Sequence, residues 1–167
     1  MGIKITISSP ILELMGKSVI HAGGSGAGQA AKVCNNMILD ISMIAVAEAF
    51  LLGQKLGLDP KRLLEIVSVS SGNCWAATQC NPVPGLTPGA PADNDYKAGF
   101  ISTLMLKDLI LSQNAAHAVE AGTPLGAAAT EIYKQFVDEG NGDLDYSAII
   151  RKLEMQARGH DKQRPED

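Results

Sequence analysis

From Gly26 to Leu56 the chain runs without a proline and with only two internal turn formers, Gly28 and Gly53. A glycine-rich lead-in, Gly23, Gly24 and Ser25, precedes it, and its body is largely aliphatic, with Val33, Met37, Ile38, Ile41, Met43, Ile44, Val46, Phe50 and Leu51. The pattern predicts one long helix, apolar around so much of its circumference that other elements should cover it on most sides. The rest of a chain of 167 residues is then expected to pack around that rod. Near its start Lys32 and Asn36 stand four residues apart, a spacing that stacks an ammonium and a carboxamide on one face. A lysine placed in so apolar a neighbourhood is costly unless it has chemistry to perform.

The chain is 46% hydrophobic and 4% aromatic, enough for one main domain with an aliphatic core. A net charge of -4 without a basic cluster argues against nucleic acid as a partner, since phosphates need a run of lysine and arginine to neutralise them. Asp40 and Glu48 interrupt the most apolar stretch, so no membrane span is expected. The opening residues Ile5, Thr6 and Ile7 read as a strand rather than a signal peptide. Cys34, Cys74 and Cys80 are odd in number and lack paired spacing, which suits reduced thiols in an intracellular compartment, cytoplasmic or, in a eukaryote, the mitochondrial matrix. His21, His117 and His160 are scattered, so no metal site is expected.

Along the chain, residues 3–7 and 18–21 read as strands flanking a short helix over residues 10–15. Two lone strands cannot form a stable sheet, so residues 1–24 are expected to be the remnant of an α/β domain. After the long helix, Gly57 is placed to stop it, and Asp59 and Pro60 open a helix to about Val69 whose buried side is Leu63, Leu64, Ile66 and Val67. Residues 71–99, rich in proline and glycine, read as a long functional loop. A helix is expected from Ile101 to Ala121, buried through Leu104, Leu109, Ala116 and Val119 and stopped by Gly122. Thr123-Pro124 opens another to about Asp138, and a last begins near Asp145, with a polar, frayed tail from Arg158. The expected fold is therefore all-α, a helical bundle of residues 25–157 around one long central helix.

The run Gly26-Ala27-Gly28-Gln29-Ala30-Ala31 satisfies the GxGxxA pattern of a pyrophosphate-binding turn. A dinucleotide fold would need a second strand ending in an acid about twenty residues on, and here the helix continues past that point. The glycines are therefore read as admitting the close approach of another backbone or of a substrate. Three features carry possible chemistry: Lys32 with Asn36, Lys107 with Asp108, and the loop bearing Trp75 and Asn81-Pro82-Val83-Pro84-Gly85. A lysine becomes a proton carrier when apolar surroundings and a second cation lower its pKa. Asn36 could hold that lysine and a substrate oxygen in register. Lys107 beside Asp108 is by default a solvated charge pair.

The run from Gly26 to Asn36 resembles the catalytic-helix motif of the β-hydroxyacid dehydrogenases. Ser70-Ser71-Gly72-Asn73-Cys74-Trp75, the proline-rich segment after it and Gly99-Phe100 leading to Met105-Leu106-Lys107-Asp108-Leu109 resemble their 3-hydroxyisobutyrate branch. The resemblance implies a C-terminal domain like that of 6-phosphogluconate dehydrogenase, which follows an NAD-binding Rossmann domain. It implies Lys32 as the catalytic lysine, Asn36, Gly28 and Phe100 at the substrate, and Lys107 toward the cofactor. It also implies a small 3-hydroxy acid substrate from valine breakdown and a homodimer or higher homo-oligomer. NAD would be bound mainly by the absent domain, so the chain alone is expected not to turn over substrate. A tartronate semialdehyde or glyoxylate reductase is the enzymatic alternative, and a non-catalytic helical dimerisation module is the rival from another class.

Overall fold

A computed structural model describes residues 10–97 and 99–161 of the chain. Helix α1 covers residues 10–15, and the long α2 runs Ala27–Lys55. Then follow α3 (Pro60–Ser68), the short α4 (Trp75–Thr78), a 3-10 turn Pro91–Asn94, α5 (Ser102–Ala118) and α6 (Pro124–Phe136). A π turn Val137–Asn141, a 3-10 turn Tyr146–Ala148 and α7 (Ile149–Asp161) complete the order. The architecture is all-α, and the only β pairing among the described residues is an isolated bridge between Ile101 and Asp145. The strand expected over residues 18–21 does not form, there being no partner beside it to complete its ladder. The one expected over 3–7 lies outside the described residues.

The bounds of α2 follow the sequence signals. Gly26, at a φ of 85, is its N-cap, and past its end Gly57 takes a φ of 80. There the Gly57 N–H donates to Gln54 and the Leu58 N–H to Gly53, a Schellman close that needs the left-handed conformation glycine adopts without strain. Asp59 caps α3 by accepting from the Lys61 and Arg62 amides, and Pro60 opens it.

α2 packs against α5, α7, α4, α6 and α3, and the core lies along its second half. Met43, Ala47 and Phe50 meet Met105 and Leu109 of α5, Tyr133 and Phe136 of α6, and Ile149 and Ile150 of α7. The expectation that α2 is covered on most sides is corrected: its first buried residue is Asp40, and most positions before it are exposed or half-exposed. The bundle closes around only the second half of so long a rod. By length and composition α2 does suffice to cross a membrane despite Asp40 and Glu48, but 39% of its most apolar window is buried within the bundle.

Other expectations are adjusted locally. Residues 71–99 carry α4 and a 3-10 turn, and Asn81 and Tyr96 tie them down by bonds to the Ala77 and Pro82 carbonyls. In α3, Ile66 faces outward, and so do Leu104 and Val119 of α5. α5 ends at Ala118, four residues before Gly122, because Glu120 itself turns left-handed. α7 continues through Asp161, past the expected onset of fraying, and residues 162–167 lie outside the described region.

Candidate functional site

Where the exposed half of α2 faces the start of α5, the fold gathers polar groups far apart in sequence. The Asn36 amide nitrogen donates to Asp108 Oδ2 at 2.7 Å. Lys107 Nζ lies 2.9 Å from Asp108 Oδ1, and Lys32 Nζ lies 4.0 Å from Oδ2. The Asp108 side chain is only 6% exposed, whereas those of Lys32 and Lys107 are 59% and 54% exposed. One buried carboxylate thus anchors a carboxamide and two ammonium groups whose tips stay accessible.

Burial alone would raise the Asp108 carboxyl. The hydrogen bonds from Lys107 and Asn36, with the charges of Lys107 and Lys32, outweigh it and hold the group below the ordinary carboxylate range. Asp108 is therefore an anion at neutral pH. Asp40, one turn beyond Asn36 on α2, is the opposite case: burial, reinforced by the charge of Asp108, pushes its carboxyl up to about 8.

These groups line an open hollow of about 480 Å³. Lys32, Asn36, Lys107 and Asp108 form its polar side, and Leu39, Trp75, Phe100, Leu104 and Tyr146 its apolar side. Phe100 and Tyr146 meet edge to face, with ring centroids 6.2 Å apart. Asp145 holds Phe100 and the turn that carries Tyr146: its Oδ2 accepts from the Phe100 amide at 2.8 Å and its Oδ1 from the Ser147 amide at 3.0 Å. The Tyr146 amide donates back to the Phe100 carbonyl at 2.9 Å, which closes the clamp.

The structure thus brings Lys32, Asn36, Lys107 and Phe100 together and leaves Gly28 outside the group. Gly28 sits one turn before Lys32, exposed, with open space where a Cβ would point. The expectation of an apolar crevice around Lys32 is also corrected. Its amine stands at the rim of the hollow, because nothing in the described residues covers this part of α2, and its nearest charged neighbour is a carboxylate. In the sequence Asp108 reads as one half of a surface pair, and Asp40, Leu104, Asp145 and Tyr146 carry no functional signal. The only available signal for Asp108 was its position beside Lys107 in a helix, which any solvated pair shares.

The residues present fit only one edge of a nicotinamide dinucleotide. Lys107 supplies an accessible cation at the rim, but the glycine-rich turn before α2 opens a helix of 29 residues instead of a strand–helix–strand unit.

A family model for the NAD-binding of NADP-dependent 3-hydroxyisobutyrate dehydrogenase matches residues 26–153. A probable 3-hydroxyisobutyrate dehydrogenase of Mycobacterium tuberculosis is 49% identical over 148 residues, covering 89% of this chain and 50% of that protein. The mitochondrial 3-hydroxyisobutyrate dehydrogenase of Homo sapiens is 47% identical over 143 residues, 86% of this chain and 43% of its own length. Among solved structures, the M. tuberculosis 3-hydroxyisobutyrate dehydrogenase with L-serine aligns at a TM-score of 0.87 and 47% identity, covering 92% of this chain and 52% of that one. A 3-hydroxyisobutyrate dehydrogenase from Salmonella typhimurium, at a TM-score of 0.73 and 24% identity, shares the fold. The chain spans about half the length of the curated relatives it matches.

Proposed function

The chain belongs to the 3-hydroxyisobutyrate dehydrogenase family, and from that premise we propose that it is the helical, substrate-binding half of an enzyme that oxidises a small 3-hydroxy acid with NAD. The observation that carries the reading is the buried Asp108 carboxylate, which holds Asn36 and Lys107 and stands 4.0 Å from the Lys32 amine inside one hollow. When bound, the nicotinamide supplies the hydride acceptor. Lys32, once its ammonium has released a proton to solvent, takes the hydroxyl proton onto Nζ as the carbonyl forms, and returns it in the reverse direction. Because Lys32 is not locked against Asp108, it is free to reach a substrate oxygen, while Lys107, held at 2.9 Å, faces the cofactor side. Asn36, fixed through its nitrogen to Asp108, presents its carbonyl oxygen for orienting the substrate.

The hollow's divided lining supports the substrate class. Two ammonium groups suit a carboxylate, and Trp75, Phe100 and Leu104 suit a short aliphatic branch such as that of 3-hydroxyisobutyrate. This is the chemistry of a valine-breakdown step, with tartronate semialdehyde reduction as the nearest alternative. Several large apolar side chains stand exposed along and beside α2, among them Ile38, Leu52, Leu56 and Trp75, which supports self-association and a nucleotide-binding partner domain. Residues 1–24 are proposed as the end of that domain. A location in the cytoplasm, or in the mitochondrion as the names of eukaryotic relatives state for themselves, accords with three free thiols.

The test is substitution in the chain joined to a nucleotide-binding domain. Lys32→Ala is expected to cut turnover of 3-hydroxyisobutyrate by about a hundredfold or more. Turnover unchanged would favour a helical dimerisation module in which the lysine is incidental.

A further inference from the structure

Asp40 is fully buried, and neither of its carboxyl oxygens has a hydrogen-bond partner. It continues the i, i+4 row of Lys32 and Asn36, so the three side chains form one polar stripe running from the exposed hollow into the core. Beyond it the helix is lined with Met43, Ile44 and Ala47. The groups that act on Asp40 or are acted on by it are Asp108 from α5, Tyr133 from α6 and Tyr146 from the 3-10 turn. From α3, α4 and α7, among the described residues, no titratable group is seen to act on it. None of the three is a cation. A sealed carboxylate that has no donor and faces a second carboxylate is far less stable than the corresponding acid.

With Asp40 neutral, the hollow holds Lys32, Lys107 and the Asp108 anion, an excess of one positive charge on the side that would receive a substrate carboxylate. Ionised, Asp40 would cancel that excess from beneath. Building on the reading of Lys32 as the proton carrier, we propose that Asp40 is a positioning residue of this site, a buried neutral acid that keeps Asp108 the sole anion under the two lysines. The side chain acts through Asp108 and Asn36 and does not touch the reacting atoms.

The experiment is an NMR titration of carboxyl carbons in the 167-residue chain, comparing the parent with Asp40→Asn and Asp108→Asn. One carboxyl present in the parent and missing from Asp40→Asn is expected to remain protonated at neutral pH and to titrate on the alkaline side. In Asp108→Asn that same carboxyl is expected to titrate at lower pH, because the charge that disfavours its ionisation is gone. A carboxyl held neutral by burial alone would keep its midpoint in Asp108→Asn. The proposal is overturned if the Asp40 carboxyl is already ionised at neutral pH, or if its midpoint is the same with and without the Asp108 charge. Should neither variant fold, the parent's carboxyl titration decides alone. No turnover is read, so this result stands or falls separately from the Lys32→Ala assay.

Discussion

At the scale of single residues, the site depends on one carboxylate in each of two charge states. Asp108 is an anion because Lys107 and Asn36 bond to it; the part-buried Asn36 bond is of the charge-assisted kind that contributes about 1.5–3 kcal/mol, and the half-exposed Lys107 adds less because solvent screens it. Asp108→Asn keeps the shape and removes the charge, so in the chain joined to a nucleotide-binding domain kcat/KM is expected to fall by about tenfold or more. Steady-state kinetics would check it, and an unchanged kcat/KM would mean that the carboxylate is dispensable. Asp40 is a neutral acid, and its effect on stability has a definite sign. Its carboxyl is raised from an ordinary 3.8 to about 8, so between those values the folded chain holds a proton that the unfolded chain has released. Folding stability then falls as pH climbs through that window and levels off above it. Asp40→Ala is expected to remove this slope, so the melting-temperature gap between variant and parent should widen from acid to mildly alkaline pH, with the variant the more stable at the alkaline end. A gap independent of pH would contradict the assignment. Neither charge state was legible in the sequence. Lys32 and Asn36 could be paired by helical spacing, but Asp40 reads as one polar break in an apolar run, and Asp108 as one half of an exposed pair.

At the scale of elements, chain punctuation was readable and side-chain facing was not. Gly57, Asp59 and Pro60 mark the end of α2 and the start of α3 because left-handed backbone and capping oxygens require those residue types. The end of α5 shows the same rule broken. There the Glu120 amide donates to His117 and the Ala121 amide to Ala116, a Schellman close with glutamate at a φ of 55. Glu120→Gly is expected to relieve a left-handed strain of about 1 kcal/mol and raise the melting temperature by about 2–4 °C, measurable by calorimetry. A lower melting temperature would show that the loss of backbone entropy dominates. Gly99 is constrained differently: a Cβ there would overlap the Asp145 carboxylate that holds Phe100 and the Tyr146 turn. Gly99→Ala is therefore expected to destabilise by about 1–3 kcal/mol, read from chemical denaturation, with disturbance of the Phe100–Tyr146 wall. The outward positions of Leu104, Ile66 and Val119 could not be inferred from apolar spacing, because spacing defines a face but not what stands opposite it.

At the scale of the whole molecule, α2 extends about 44 Å, and the bundle closes around only part of it. The chain alone is expected to show no NAD-dependent oxidation of 3-hydroxyisobutyrate, since Lys107 offers a cofactor one edge only; measurable turnover by the isolated chain would sink that expectation. Its exposed apolar side chains are expected to drive self-association, so sedimentation should find a dimer or larger species rather than a monomer. The sequence by itself determined the longer helices, the caps at Gly57 and Asp59 and the shared face of Lys32 and Asn36, because these follow from local backbone preference and a fixed helical period. It also determined the all-α class, through one proline-free apolar run too long for a strand. Only the tertiary structure decided that α5 brings Asp108 against the first half of α2, that Lys32 stands at an open rim and that Asp40 is sealed from water. Charge state and exposure depend on what packs opposite a residue, and for these groups the opposing residues lie on other helices, as with Asn36 and Asp108, 72 positions apart in the chain.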